Sequence, residues 1–560
     1  MGTIRLKTPT FLLHQGLLIW LTIAAAMGCA VSGCTRGAPT PKPQREGRKI
    51  ASVAEKHAQS AAAEIAQLSD AELESRIGPE IQTFCSGCHA APQASEAPRE
   101  GWRVEVEQAF RFHKKSPAKD EPTPDIEAVV AYFERKAMPY SDFAAPPLGD
   151  SDPGRVKFSK IEVRIDKAPH SPALAGLTWI APQNDRPGAL LACDMRSGGL
   201  YSVSPDGGCE VVVAPESKLL SNPCHIEPCD LDGDGLIDLV VADLGNFFPA
   251  DHQFGRVVWL RRTSEAGGYE PIEIGGALAR VADVRPGDFD ADGDLDLVVA
   301  EFGLHETGRI LLLVNQRSET GKTEFVLREE DPRHGAIHVP VSDLNGDGKL
   351  DFVALIGQEH EVIEAFLNRG DGTFEKQRIY TAPNPSWASS GIQLVDMDAD
   401  GDLDVLNTNG DSFDRDYLKP YHALRWLENQ GEFPWVEHHL ADMPGCQRAL
   451  AGDLDGDGDL DIVAVALLPA AVLERFGKQH FDAVCWFEQT APGQFHRRSL
   501  ELADCKHATL ALGDFDGDGD LDFATGNFFF NQGQGQGPLP YLTIWRNDTG
   551  AGSGDSASGR

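Results

Sequence analysis

Positive charge is scarce in this chain. Lysine and arginine number 50 against 86 aspartates and glutamates, a net charge of −36 at neutral pH, and a surface of that sign repels phosphate backbones, which speaks against nucleic acid as a partner. Catalytic phrases are missing too: no H-E-x-x-H, G-x-S-x-G or phosphate loop occurs, so nothing in the motifs supports hydrolase, lyase or nucleotide chemistry. No full membrane span stands at the amino terminus, where the apolar stretch from Phe11 through Ala26 is interrupted by His14 and Gln15. What the chain does have, with 41% hydrophobic residues over 560 positions, is enough apolar side chain for a large core and more than one domain.

Against that background one acidic phrase recurs six times, Asp-x-Asp/Asn-x-Asp-Gly-x-x-Asp, beginning at Asp230, Asp288, Asp343, Asp396, Asp453 and Asp514. A hard cation needs several oxygen ligands from a short loop that turns back on itself, and alternate carboxylates supply them. The ligand positions are Asp230, Asp232, Asp234 and Asp238; Asp288, Asp290, Asp292 and Asp296; Asp343, Asn345, Asp347 and Asp351; Asp396, Asp398, Asp400 and Asp404; Asp453, Asp455, Asp457 and Asp461; and Asp514, Asp516, Asp518 and Asp522. In the first copy Gly235 permits the sharp turn and the Leu236 carbonyl faces inward. A flexible all-oxygen cage suits calcium better than magnesium, so about six calcium ions are expected. Twelve returned charges would compensate much of the acidity.

The EF-hand uses a similar phrase but needs a Glu at position twelve and flanking helices. Position twelve here is Val241, Val299, Ala354, Asn407, Ala464 and Thr525, and apolar runs such as Leu239-Val240-Val241-Ala242 follow the loops and read as buried strands. With these features the chain resembles FG-GAP or VCBS repeat proteins, the calcium-loop β-propellers that include the integrin alpha head, over roughly residues 155–548. The resemblance implies one four-stranded blade per repeat, with the calcium loop joining the first two strands. Tryptophans in Val258-Trp259-Leu260, Arg425-Trp426-Leu427, Cys485-Trp486-Phe487 and Ile544-Trp545-Arg546 then read as blade packing.

A degenerate seventh copy appears when Leu190-Leu191-Ala192-Cys193-Asp194 is aligned with Leu239-Val240-Val241-Ala242-Asp243; its ligand positions are Ala181, Gln183, Asp185 and Ala189, and no ion is expected there. The last repeat stops near Trp545, and the alternating segment from Val156 to Val163 is expected to complete that blade. The fold class is therefore mainly β, a seven-bladed propeller.

Upstream, Arg5 and Lys7 before the apolar stretch give a signal-peptide layout over residues 1–33, and Val31-Ser32-Gly33-Cys34 resembles a bacterial lipobox, implying lipidation at Cys34 and an exported, membrane-anchored chain. Residues 34–50, rich in Pro, Lys, Arg and Gly, read as a tether. Cys85-Ser86-Gly87-Cys88-His89 is the phrase for one covalent c-type haem, two thioethers and an iron-ligating histidine. Apolar patterning predicts helices over Ser52–Ile81 and Pro124–Ala137. Residues 51–145 thus resemble a small all-α c-type cytochrome, followed by a linker over 146–154, with residues 549–560 as a disordered tail. The family often uses a methionine as sixth ligand, and Met138 is the only one in this domain; it follows the last helix instead of preceding it, and His113 or an open position compete with it.

Two function classes follow. One is an electron-transfer lipoprotein at the periplasmic or outer face, most simply a monomer, whose propeller docks a redox partner or binds a glycan. The other is a propeller redox enzyme similar to quinone-cofactor dehydrogenases, or a carbohydrate-active or adhesion protein; calcium loops in place of tryptophan docking repeats, and the lack of adjacent cysteines, argue against the dehydrogenase. No catalytic residue is assigned. His225, His338 and Arg448 each stand five residues before a loop and either form a polar ring in a central channel or satisfy their own neighbouring loops. Cys193 with Cys209, Cys224 with Cys229, and Cys446 with Cys505 are candidate disulfides.

Overall fold

The computed structural model describes residues 64–86, 90–116, 118–165, 170–182, 187–215, 217–264, 268–413, 415–530 and 539–549. The signal segment, Cys34 and the tether lie outside them, as do Cys88, His89, Gln183 and Asp185. Among the described residues no helix is long and apolar enough to cross a membrane.

Seven antiparallel sheets make a seven-bladed propeller. Blade 1 spans Leu174–Ile180, Ala189–Asp194, Gly199–Val203 and Cys209–Val213, and blades 2 to 6 begin at Pro223, Val281, Ala336, Ser389 and Cys446. Blade 7 is built from His507–Gly513, Asp522–Asn527 and Leu542–Asn547, and its outermost strand is Phe158–Val163, paired in register from Phe158 opposite Asn547 to Val163 opposite Leu542. The amino-terminal strand therefore completes the last blade and closes the ring, as its unpartnered alternation anticipates.

Each acidic phrase joins the first and second strands of a blade, and the second strand that follows is buried throughout, as in Asp238–Asp243 and Asp296–Glu301. The sixth loop residue sits in the left-handed region, φ +83° at Gly348 and +96° at Gly458, with nothing within 4 Å of an added Cβ, so conformation and not space demands glycine there. The third-strand tryptophans pack between blades: Trp486 and Trp545 share a cluster with Val463, Val465, Leu510 and Phe523. The cysteine pairings are corrected. All seven propeller cysteines are free thiols. Cys224 and Cys229 lie on one strand, Pro223–Cys229, where five residues span about 16 Å; Cys193 and Cys209 lie on strands separated by a third and at opposite ends of it, far beyond disulfide reach.

Among the described residues, a helical segment ending at Gln67 and three further α-helices precede the propeller: α1 (Asp70–Cys85), α2 (Trp102–His113) and α3 (Ile126–Lys136). The single helix expected over Ser52–Ile81 is broken at Ser69, where a capping box forms: the Ser69 hydroxyl accepts the Glu72 N–H, and the Glu72 carboxylate accepts the Ser69 N–H at 2.8 Å. Helix α2 adds to the two expected helices: Arg103-Val104-Glu105-Val106-Glu107 alternates along the chain, yet Trp102, Val106 and Phe110 are buried on one helical face. Trp102 stacks on Phe133 of α3 at 3.9 Å and donates its indole N–H to the Ala97 carbonyl at 3.1 Å.

The helices are fastened to the propeller. Arg415 forks onto Glu105 at 2.5 and 3.1 Å and reaches Gln108 at 2.7 Å, and the Tyr417 hydroxyl donates to Glu105 at 3.0 Å. Residues 146–154 are not a free linker: Asp150 exchanges backbone hydrogen bonds with Arg497 and Ser499 on blade 6, at 2.9 and 2.8 Å.

Candidate functional site

The six loops share one internal scaffold. The ninth-position aspartate is buried and accepts two backbone N–H groups, one from the second loop residue and one from the end of the third strand. In blade 4, Asp351 accepts from Leu344 at 3.0 Å and Asn368 at 2.7 Å; in blade 6, Asp461 accepts from Leu454 at 3.1 Å and Gln489 at 2.9 Å. Asn368 adds a brace by donating its amide to the Leu350 carbonyl at 3.1 Å and, in the preceding blade, to Phe289 at 2.7 Å. Asn315, Asn429 and Asn547 repeat the inner half of this brace. That asparagine, closing runs such as Leu313-Val314-Asn315 and Phe366-Leu367-Asn368, is a repeat signal that attention to the acidic phrase alone overlooks.

These loops suit a cation. Ligand oxygens of Asp230, Asp232 and Asp234, of Asp288, Asp290 and Asp292, of Asp396, Asp398 and Asp404, and of Asp453, Asp455 and Asp461 gather within 4.8 Å of one another. Burial pushes Asp296 and Asp461 up to about 7, and Asp404 and Asp522 up to about 6, with neighbouring loop carboxylates adding to the effect. Asp232 Oδ1 and Asp455 Oδ2 are buried without a hydrogen-bond partner. Crowded, desolvated carboxylates with orphaned oxygens fit a bound divalent ion.

Opposite the loops, a cavity of about 1720 Å³ runs from the helices into the propeller's centre. Its helical wall is Phe84, Cys85, Trp102, Val106, Phe110, His113 and Phe133. His113 lies 4.9 Å from the Phe84 ring, and its Nε2 is buried without a partner. An apolar wall beside Cys85 with an orphaned imidazole nitrogen fits a flat prosthetic group. Met138 does not line this space; it is 55% exposed and follows Ala137, whose carbonyl accepts the Arg99 guanidinium.

The propeller wall of the cavity is made by first strands. In every blade the pairing of first and second strands slips just before one residue: Gly176, His225, Asp283, His338, Gly391, Arg448 and Thr509. Bulges of this kind re-aim the side chain that follows. Each such residue stands five positions before its loop, so the shared offset of His225, His338 and Arg448 reflects one structural position, and these residues do come together. His225 Nε2 lies 2.8 Å from Glu227 and 3.2 Å from Asp283; Arg285 pairs with Asp283 at 3.1 Å and with Glu227; His338 approaches Asp283 at 3.6 Å; Arg448 bonds His338 at 3.2 Å. Asp283, Glu227 and Arg285 were not singled out from the sequence. The signal was there: Asp283 has the same offset, and Glu227 and Arg285 follow two residues on, on the same strand face.

Electrostatics in the ring are lopsided. Burial works against the Asp283 carboxylate, but Arg285, His225 and His338 overcome it and hold its pKa well below the usual range. Burial and the Arg448 charge push His338 down to about 4, leaving it neutral. Arg448, lowered to about 10 chiefly by burial, has no carboxylate within ion-pair distance among the described residues. Arg280, on the same cavity wall, is also buried and its Nε lacks a partner. The cavity wall thus offers a neutral imidazole and two guanidinium groups without an ion-pair partner among the described residues, beside the Asp283 and Glu227 carboxylates, a set of hydrogen-bond donors and acceptors for a polar ligand.

Among solved structures the chain is similar to a streptogramin B lyase, at 14% identity and a TM-score of 0.43 over 70% of this chain and 98% of that one. It is likewise similar to virginiamycin B lyase from Staphylococcus aureus, at 10% identity and a TM-score of 0.42 over 70% and 99% of the two chains. Identities this low carry no information about activity. Comparison with curated proteins finds no significant match. The FG-GAP-like repeat model matches residues 230–299 and 343–406, and the FG-GAP repeat model matches residues 508–539. The chain thus carries FG-GAP repeats on a seven-bladed propeller, the architecture of a binding or docking module.

Proposed function

We propose that this chain is an exported, lipid-anchored electron-transfer protein in which a covalent c-type haem, attached through Cys85 and Cys88 and ligated by His89, borders a ligand-binding funnel in a calcium-stabilised propeller. The supporting observation is the single cavity that reaches from the wall beside Cys85 to the polar ring of the first strands. When bound, the haem supplies a one-electron redox centre. Phe84, Trp102, Phe110 and Phe133 would line its pocket and keep water out, and His113, whose buried Nε2 has no partner, would supply a further iron-binding nitrogen in preference to Met138. Calcium at the six loops holds the blades, and the funnel receives the redox partner's segment or a glycan, with Arg448 and His338 as hydrogen-bond donor and acceptor.

Pyridine haemochrome spectra of protein matured with haem-attachment machinery test this reading. Covalent haem at one per chain is expected, reduced to a single thioether in Cys85→Ala; absence of covalent haem refutes it. His113→Ala should convert a low-spin spectrum to high-spin, while Met138→Ala should leave it unchanged.

A second reading, a redox enzyme acting on a ligand within the funnel, is favoured by His225 and His338, which line that cavity and gather on the buried Asp283 carboxylate behind it. Substrate-dependent reduction of the haem that is lost in Asp283→Asn would establish it; haem reduction by protein partners alone would remove it.

A further inference from the structure

We propose that His305, His334 and Glu359 form a site for one divalent transition-metal ion of the zinc class in the wall of the central cavity, separate from the aspartate loops and independent of the haem. One ligand atom from each of the three lies within 4.8 Å of the others. His334 Nε2 is 2.9 Å from Glu359 Oε2, close to the roughly 3.3 Å that separates two donors around a tetrahedral zinc with bonds of about 2.0 Å. His305 Nδ1 is buried and has no hydrogen-bond partner, a cost that a metal bond removes. Next to the group, His360 lies with its ring 5.0 Å from that of His334 and its own Nε2 buried and unpartnered.

The loops that carry these residues are tied to one another. The Gly335 N–H donates to the Phe302 carbonyl and the Gly357 N–H to the Gly335 carbonyl, both at 2.8 Å, linking the His305, His334 and Glu359 segments in series. Asp251 pins the first loop by accepting the N–H groups of His305, Glu306 and Thr307 at 3.0 to 3.1 Å. Phe112 of α2 packs on the His305 ring at 4.4 Å and covers its outer side. The donor set is therefore preorganised before any ion arrives.

Two imidazoles and one carboxylate select a zinc-class ion over calcium, which prefers an all-oxygen shell. Three protein donors leave a fourth tetrahedral position open, and all three residues line the cavity, so that position would be reachable from it. The ion would present a Lewis-acidic coordination site to an anionic or hydroxyl-bearing ligand in the funnel.

The test uses the full chain, saturated with calcium and stripped of transition metals, and titrated with zinc by equilibrium dialysis and elemental analysis. One zinc per chain that survives excess calcium is expected. His334→Ala should abolish it, and Glu359→Gln, nearly isosteric, should weaken it roughly tenfold or more. His439→Ala, at an exposed histidine of blade 5, should change nothing. X-ray absorption at the zinc edge should show nitrogen and oxygen neighbours only. The proposal is overturned if no calcium-resistant zinc binds, if the binding is unaltered in both ligand variants, or if sulfur appears in the zinc shell.

Discussion

The ninth-position aspartate has two separable roles, and Asp351→Asn divides them. In the wild type both Asp351 oxygens accept buried backbone N–H groups, from Leu344 and from Asn368. An amide side chain offers one acceptor, so in either orientation one N–H faces an NH2 group. A hydrogen bond to a charged acceptor contributes about 1.5–3 kcal/mol, and stranding its buried donor costs about 1–3 kcal/mol. These figures overlap, and burial disfavours the Asp351 charge in the first place, so removing that charge returns part of the loss. The net is about 2 kcal/mol in the absence of calcium, or an open population of blade 4 about 30-fold larger. Asp343 at the first position binds only loop N–H groups, Gly348 at 2.8 Å and Asp347 at 3.2 Å, in an exposed setting. Asp343→Asn should change local stability by less than about 0.5 kcal/mol in chelator and show its effect only with calcium. Hydrogen exchange read by mass spectrometry on peptides covering Leu344 and Asn368, with chelator and with calcium, gives the four values. Equal exchange of Asp351→Asn and wild type in chelator refutes the clamp; equal losses in both variants refute the division of roles.

Three further outcomes are expected. Chelation should lower the thermal midpoint of the whole chain, each site contributing about 2.7 kcal/mol at a free calcium concentration of 100 Kd, and an unchanged midpoint would remove calcium from the loops. Glu96 is 4% exposed, and burial raises its carboxyl from 4.5 to about 8 against the opposing Gln93 N–H; between those pH values the folded state keeps a proton that the unfolded chain has released, so stability falls as pH rises through that window. Glu96→Gln should flatten that slope in thermal melts at pH 5 and pH 8, and an unchanged slope would assign it elsewhere. Gly391 makes room for Arg448, because an added Cβ would sit 3.2 Å from its Cδ and Nη1 and 2.9 Å from Thr408 Oγ1. Gly391→Ala should displace the guanidinium and let the His338 pKa rise from about 4 toward its ordinary value, as read by histidine NMR titration; no movement would mean that Arg448 does not control it.

The scaffold was legible because its signals are local and repeated. A phrase recurring at blade-length intervals, an apolar run after each copy, and one alternating segment without a partner suffice to infer seven blades and closure by the segment Val156–Val163, of which Phe158–Val163 forms the strand. Failures occur where the deciding interaction is not local. Ser69 breaks a periodic helix through a cap involving Glu72, a signal outweighed by the apolar pattern around it. The Cys224 and Cys229 spacing suggests a loop pair, yet the segment is one extended strand. His305, His334 and Glu359 come from three connections that share no spacing rule, and only the stacking of blades 3 and 4 brings them together.

The bulges join the loops to the cavity. In blades 2, 4, 6 and 7 the residue after the bulge, His225, His338, Arg448 or Thr509, lines the central cavity, and the strand ends five residues later in an acidic loop, a distance of about 17 Å along the strand. A strand's register is all-or-none, since a slip of one residue turns every side chain to the other face. The ninth-position aspartate, held to the second loop residue and to the third strand, fixes where the first strand ends. It thereby fixes whether His225, His338 and Arg448 point into the cavity or into the blade, and whether Asp283 stands behind them. The acidic repeats and the ring are for this reason two ends of one device, and the uneven chemistry of the ring, with carboxylate in blade 3, imidazole in blades 2 and 4, guanidinium in blade 6 and glycine in blades 1 and 5, is where seven similar blades acquire a single functional direction.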